Sequence, residues 1–116
     1  IPKINYKKTI RAAIKEMTKK KLGVICVINK KNKTNLIVDG DLRRHSNNLY
    51  KKKIMDITTK NPVWISEEAT ALSAIEKMTA SKISSLLVAK HKDVKKQNKK
   101  VVGILTMLQC LSKGIK

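Results

Sequence analysis

Residues 9–27 read TIRAAIKEMTKKKLGVICV, and residues 70–88 read TALSAIEKMTASKISSLLV. The second stretch repeats the first at a constant offset of 61: Thr9 with Thr70, Ala13 with Ala74, Ile14 with Ile75, Met17 with Met78, Lys21 with Lys82 and Val27 with Val88. A further match follows at an offset of 68, Leu36-Ile37-Val38 against Ile104-Leu105-Thr106, so the second copy carries seven extra residues in its intervening loop. An internal repeat decides architecture before any single residue does, because each copy is one small unit that cannot bury its apolar face alone. Two small units packed against each other are expected, with function sought in the cleft between them.

Working outward, each copy has the same punctuation. Ile10, Ala13, Ile14 and Met17 fall at i, i+3, i+4 and i+7, one face of a helix over residues 9–20. Lys19, Lys20 and Lys21 suit its carboxyl end, and Gly23 ends the helix or makes the next turn. The run Val24-Ile25-Cys26-Val27-Ile28 is apolar and β-branched, the pattern of a strand buried on both faces. Short strands are expected at residues 2–4 and 36–38, with a helix from Asp39 that is acidic at its start and basic at its end. The second copy reads likewise. Strands fall at 63–65, 86–89 and 101–105, a helix capped by Ser66 or Thr70 carries Ala71, Ala74, Ile75 and Met78, and a closing helix spans 106–112. The loop 90–100 holds six lysines and one acid and should be solvated and mobile. Each repeat is thus β-α-β-β-α and the class is α/β (α+β). The first repeat spans residues 1–45, a linker 46–61 and the second repeat 62–116.

The 116 residues suffice for one compact domain, and 41% of them are apolar, enough for a core. No run approaches the roughly 20 apolar residues of a membrane helix, and no signal-peptide pattern opens the chain. The first residue is Ile rather than Met, which suggests a piece of a longer protein. Cys26 and Cys110 sit in apolar segments and are read as buried, reduced thiols, in keeping with a cytoplasmic protein. The net charge of +19 invites a nucleic-acid reading. Three features weigh against it. The basic residues are nearly all Lys, with Arg only at positions 11, 43 and 44. The aromatic residues are Tyr6, Tyr50 and Trp64, too few for a stacking platform. Abundant Lys, Asn and Ile together are also what an A/T-rich genome produces by codon bias.

Two β-α-β-β-α repeats of this length resemble a tandem CBS domain pair. The likeness sharpens at Asp39-Gly40-Asp41-Leu42-Arg43-Arg44-His45, at Thr59-Lys60-Asn61-Pro62 and at Gly103-Ile104-Leu105-Thr106. Together these look like the C-terminal CBS pair of arabinose-5-phosphate isomerases of the sugar isomerase (SIS) type. The resemblance covers essentially the whole chain. It implies an upstream SIS domain holding the isomerase site, which interconverts ribulose 5-phosphate and arabinose 5-phosphate for Kdo and lipopolysaccharide synthesis. It also implies a regulatory or assembly role for this region, association as a homodimer, and an adenine nucleotide or CMP-Kdo as effector.

The same resemblance supplies candidate ligand residues. The family signature ends in a hydroxyl residue followed three positions later by Asp. The hydroxyl reaches a phosphate or ribose oxygen, and the carboxylate accepts from ribose hydroxyls. In the first repeat the signature keeps Asp41 but has Val38 at the hydroxyl position. In the second it keeps Thr106 but has Gln109 at the Asp position. A hydrogen bond to a charged group is worth about 1.5–3 kcal/mol, so each half-site is weakened. Asp39, Asp41, Arg43, Arg44, Ser84 and Thr106 are the candidate ligand-binding residues. Asp41 has a second reading as an acceptor for backbone N–H groups in its helix, and Arg43 and Arg44 as a solvated helix end. Ser84 and Ser85 have one as turn residues. His45 reads as a surface residue, Met17 and Met78 as core. Trp64 reads as a cover over the core edge or an interface. No Gly-rich phosphate loop, zinc-spaced Cys/His set or catalytic triad is present, so no catalytic or metal-binding residue is assigned.

Overall fold

The helix-forming stretch identified by the repeat is bounded in both copies by the same physical devices. In a computed structural model, which describes residues 1–59 and 61–112, helix α1 spans Ile10–Lys20. The Thr9 hydroxyl caps it by accepting the Ala12 N–H at 3.1 Å. Helix α4 spans Ala71–Ser81, and the Thr70 hydroxyl accepts the Ser73 N–H at 3.0 Å. Lys21 and Lys82 end the two helices in the left-handed conformation, each at φ 56°. Of the two caps expected for α4, Thr70 is therefore the one used. Ser66 lies in a strand, where its hydroxyl accepts the Glu68 N–H at 3.0 Å.

The first unit comprises residues 1–62. Its sheet has the order β1-β2-β3, with β1 Lys3–Asn5, β2 Val24–Ile28 and β3 Thr34–Val38. Strand β1 runs parallel to β2 with Ile4 beside Val27; β2 is antiparallel to β3 with Val24 beside Val38. Helix α2, Asp39–Arg44, starts directly at the end of β3, acidic first and basic last. Ile4, Ile10, Ala13, Met17, Ile25, Val27 and Ile37 form the core. Two further members, Ile54 and Ile57, come from the segment expected as a linker. They sit on a four-residue helix, α3, Ile54–Ile57, and both are fully buried. Burying an isoleucine side chain contributes about 1.5–3 kcal/mol, so this segment belongs to the first unit's core.

The second unit comprises residues 63–116 and repeats the plan. Its sheet has the order β4-β5-β6, with β4 Trp64–Ser66, β5 Ser85–Ala89 and β6 Gly103–Thr106. Ile65 stands beside Val88 in the parallel pair and Ser85 beside Thr106 in the antiparallel one. Helix α5, Met107–Ser112, follows β6 directly. Ile65, Ala74, Met78, Leu86 and Cys110 form its core. The registers obey the sequence offsets: the Ile4–Val27 and Ile65–Val88 pairs differ by 61 at both ends. The lysine-rich loop is more structured than its composition implies. His91–Asp93 form a 3-10 turn, Asp93 pairs with Lys96 at 2.8 Å, and the Lys99 ammonium lies 4.9 Å from the centre of the Trp64 ring. No helix among the described residues is long and apolar enough to cross a membrane.

Candidate functional site

The candidate residues of the first unit gather where β3 becomes α2. Asp39, Asp41, Arg43 and Arg44 all lie on α2, whose six residues leave little room between them. Asp41 is the buried member, 5% exposed. Its Oδ2 accepts the Val38 N–H at 2.9 Å and the Thr59 hydroxyl at 3.2 Å. Its Oδ1 accepts from the Arg44 guanidinium. A buried carboxylate needs such donors, because an ion left without them faces a large desolvation penalty. The second reading of Asp41 is the one these bonds bear out: it accepts a backbone N–H at the first turn of α2, and it does so while holding Arg44 as a charged partner.

Arg44 folds back along its own helix. A Cβ at Gly40 would lie 2.9 Å from Arg44 Nη1, so any larger residue there would displace the guanidinium. The Arg44 side chain is nonetheless 64% exposed. Arg43 is exposed as well. Asp39 is exposed, and its carboxylate lies over Gly23, where a Cβ would come within 2.8 Å of Oδ2. Gly23 has φ 68°, so both its backbone and its lack of a side chain are used. The Asp39 N–H completes this corner by donating to the Gly23 carbonyl at 3.1 Å.

The second unit builds the same corner from different side chains. The Met107 N–H donates to the Ser84 carbonyl at 2.9 Å, the counterpart of the Asp39–Gly23 bond. Ser84 is exposed just before β5, while Ser85 is buried within it. Thr106 and Gln109 hold the α5 start together. The Thr106 N–H donates to Gln109 Oε1 at 2.9 Å, and the Gln109 N–H donates to Thr106 Oγ1 at 3.2 Å. Gln109 thus takes over the capping duty of Asp41 without its charge.

Nothing in the sequence marks Thr59 as a site residue. It reaches the site by pairing with the free edge of β3. The Thr59 N–H donates to the Leu36 carbonyl at 2.7 Å, and the Asn35 side-chain amide donates to the Thr59 carbonyl at 3.2 Å. Eighteen residues separate Thr59 from Asp41, and no local spacing rule connects them. Among the described residues, no group of three or more His, Cys, Asp or Glu is placed to hold a metal ion.

The CBS domain family model matches residues 54–114, more than half of the chain. The chain belongs to the CBS domain family. The internal repeat extends the CBS fold over the first unit, whose elements and registers follow the second's. The arabinose 5-phosphate isomerase KdsD of Francisella tularensis is 35% identical over 111 residues, which cover 92% of this chain and 32% of the isomerase. The CBS chain thus spans about a third of the length of that curated relative. Among solved structures, a CBS domain protein from Pyrobaculum aerophilum complexed with AMP superposes with a TM-score of 0.74 at 20% identity, covering 97% of this chain and 91% of that one. The CBS domain pair of protein MJ0100, in complex with 5′-methylthioadenosine and S-adenosyl-L-methionine, superposes with a TM-score of 0.78 at 23% identity, covering 97% of this chain and 85% of that one. At these identities the structural likeness is one of fold.

Proposed function

We propose that this chain is the regulatory and assembly CBS pair of a cytoplasmic sugar-phosphate isomerase acting on arabinose 5-phosphate and ribulose 5-phosphate. The observation that carries this is the 35% identity to an arabinose 5-phosphate isomerase, maintained over 92% of the chain. In this reading an SIS domain upstream in the parent chain performs the isomerisation, and the present region performs none. It binds a nucleotide or sugar-nucleotide effector. Asp41, Arg43 and Arg44 are the candidate anchors in the first unit, with Asp39 beside them; Thr106 and Ser84 are those of the second. The Arg44 guanidinium paired with the Asp41 carboxylate, with Arg43 exposed on the same short helix, suits a ligand that carries both phosphate and sugar hydroxyls. Regulation would then be linkage: an effector that prefers one arrangement of the parent enzyme shifts the enzyme toward it.

Assembly is the second half of the proposal. Leu72 on α4 is 52% exposed, and Leu108 and Leu111 on α5 are 78% and 55% exposed. The equivalent positions of the first repeat are Arg11, Gly40 and Arg43, none of them apolar and large. Exposed leucines on two packed helices favour self-association as a homodimer. A ligand-free dimerisation module is the competing reading. It is favoured by Val38 and Gln109, which remove one polar anchor from each unit.

Titration calorimetry with CMP-Kdo and AMP at physiological salt separates these readings. Saturable binding that is lost on Arg44→Ala supports the effector site. Absence of heat at millimolar ligand, with a dimer seen by sedimentation, leaves assembly as the function.

A further inference from the structure

The three donors on Asp41 differ in how easily a ligand displaces them. The Val38 N–H is fixed in the backbone at the junction of β3 and α2. The Arg44 side chain is 64% exposed and can follow a ligand phosphate while keeping its charge near Asp41. The Thr59 hydroxyl is neutral, rotates freely, and offers Oδ2 the same O–H group that a sugar hydroxyl offers. We propose that Thr59 is an in-chain competitor for the Asp41 carboxylate. A sugar hydroxyl of a nucleotide-class ligand takes the position that the Thr59 hydroxyl holds, and the strap at residues 58–59 loosens from the edge of β3 at Thr59, where it bridges Leu36. This rests on the reading that Asp41 anchors a ligand.

The strap is built to respond. Among the described residues, three bonds tie Thr59 to β3 and α2: its N–H to Leu36, its carbonyl to Asn35 and its hydroxyl to Asp41. Among the described residues, what holds Thr59 once the hydroxyl bond is gone is one isolated bridge to Leu36 and one side-chain amide from Asn35. The strap begins directly after the buried Ile57, and Thr58 is buried too, its hydroxyl donating to the Met55 carbonyl at 3.5 Å, so loosening confined to Thr59 leaves α3 in the core. Gln109, at the position of Asp41 in the second repeat, is neutral, which makes the device particular to the first unit.

The test compares AMP and CMP binding to the 116-residue chain and to Thr59→Val, which keeps the shape and removes the donor. Thr59→Ser retains the donor, and Thr59→Ala serves if the valine variant does not fold. Removing a competing hydrogen bond should tighten binding about five-fold in the valine variant and leave the serine variant unchanged. Hydrogen exchange at the Thr59 amide should be slow in the free protein and accelerate on saturation. Equal affinity in all variants, or a Thr59 amide that stays protected under saturating ligand, overturns the competition while leaving nucleotide binding intact. No binding to any variant at millimolar ligand overturns the nucleotide reading itself, and the competition with it.

Discussion

Thr106 and Gln109 exchange two hydrogen bonds across the first turn of α5, whereas Val38 and Asp41, their counterparts at the start of α2, exchange one. The missing bond is the one a hydroxyl at position 38 would accept from the Asp41 N–H. Val38 stands in extended conformation, with φ −118° and ψ 166°, the backbone geometry a threonine cap uses. Val38→Thr should therefore raise the stability of the first unit by about 1 kcal/mol. A thermal melt followed by circular dichroism measures it. A lowered midpoint would mean that the half-buried valine contributes more through its methyl groups than a cap returns.

Asp41 joins three elements: the end of β3 through Val38, its own helix through Arg44, and the strap through Thr59. Asp41→Ala strands the Val38 N–H and the Thr59 hydroxyl in a half-buried corner, at a cost of about 1–3 kcal/mol. Asp41→Asn should cost less. It keeps an acceptor for Val38 and loses chiefly the pair with Arg44, whose exposed side chain limits what that ion pair contributes. Urea denaturation of the two variants gives the order. Equal losses would assign most of the effect to the charge and little to the hydrogen bonds. Any ligand titration on an Asp41 variant has to be read beside these midpoints.

The segment between the repeats makes a third test. Ile54 is fully buried in the first unit's core, while Tyr50 is 58% exposed, with the Arg11 guanidinium 4.4 Å from its ring centre. Ile54→Ala should destabilise by about 2–5 kcal/mol, the range for large core aliphatic residues. Tyr50→Ala should cost about 0.5–1 kcal/mol through the exposed cation–π contact. A near-neutral Ile54→Ala would mean that α3 does not pack in the core in solution.

These particulars show what the sequence could and could not reveal. The offsets of 61 and 68 carried the elements, their order and the strand registers, because a repeat compares long stretches and averages out local noise. The acidic start and basic end of α2 are legible from short-range signals instead, as is Thr70 as one of two caps for α4. The segment 46–61 reads as a linker because its apolar anchors, Leu49, Ile54 and Ile57, are scattered among lysines and too few to set a period. Only tertiary packing reveals that two of them complete a core. Thr59 escaped for a related reason: its link to Asp41 spans eighteen residues and depends on a strand edge. Gln109 was legible only as the loss of an anchor. Its capping role emerges once its side-chain oxygen is seen 2.9 Å from the Thr106 N–H.

Cys26 provides a test by pH. Burial in β2 pushes its thiol up from 9.0 to about 11, against the weaker opposing pull of the Lys3 and amino-terminal charges. In the unfolded chain the thiol ionises at its ordinary value, so the folded form binds the proton more tightly. The stability this group contributes is fully present below about pH 9 and declines as pH rises toward about 11. Lysines titrate in the same window, so the comparison must be with Cys26→Ala. The alanine variant should start less stable at neutral pH because of the cavity it leaves. Its stability should then fall less steeply between pH 9 and 11 than that of the unaltered chain. The same burial should keep Cys26 unreactive toward an aromatic disulfide reagent at pH 8 until the protein is unfolded. Parallel stability curves for the two proteins, or rapid thiol reaction in the native state, would show that β2 opens to solvent far more often than its place in the core allows.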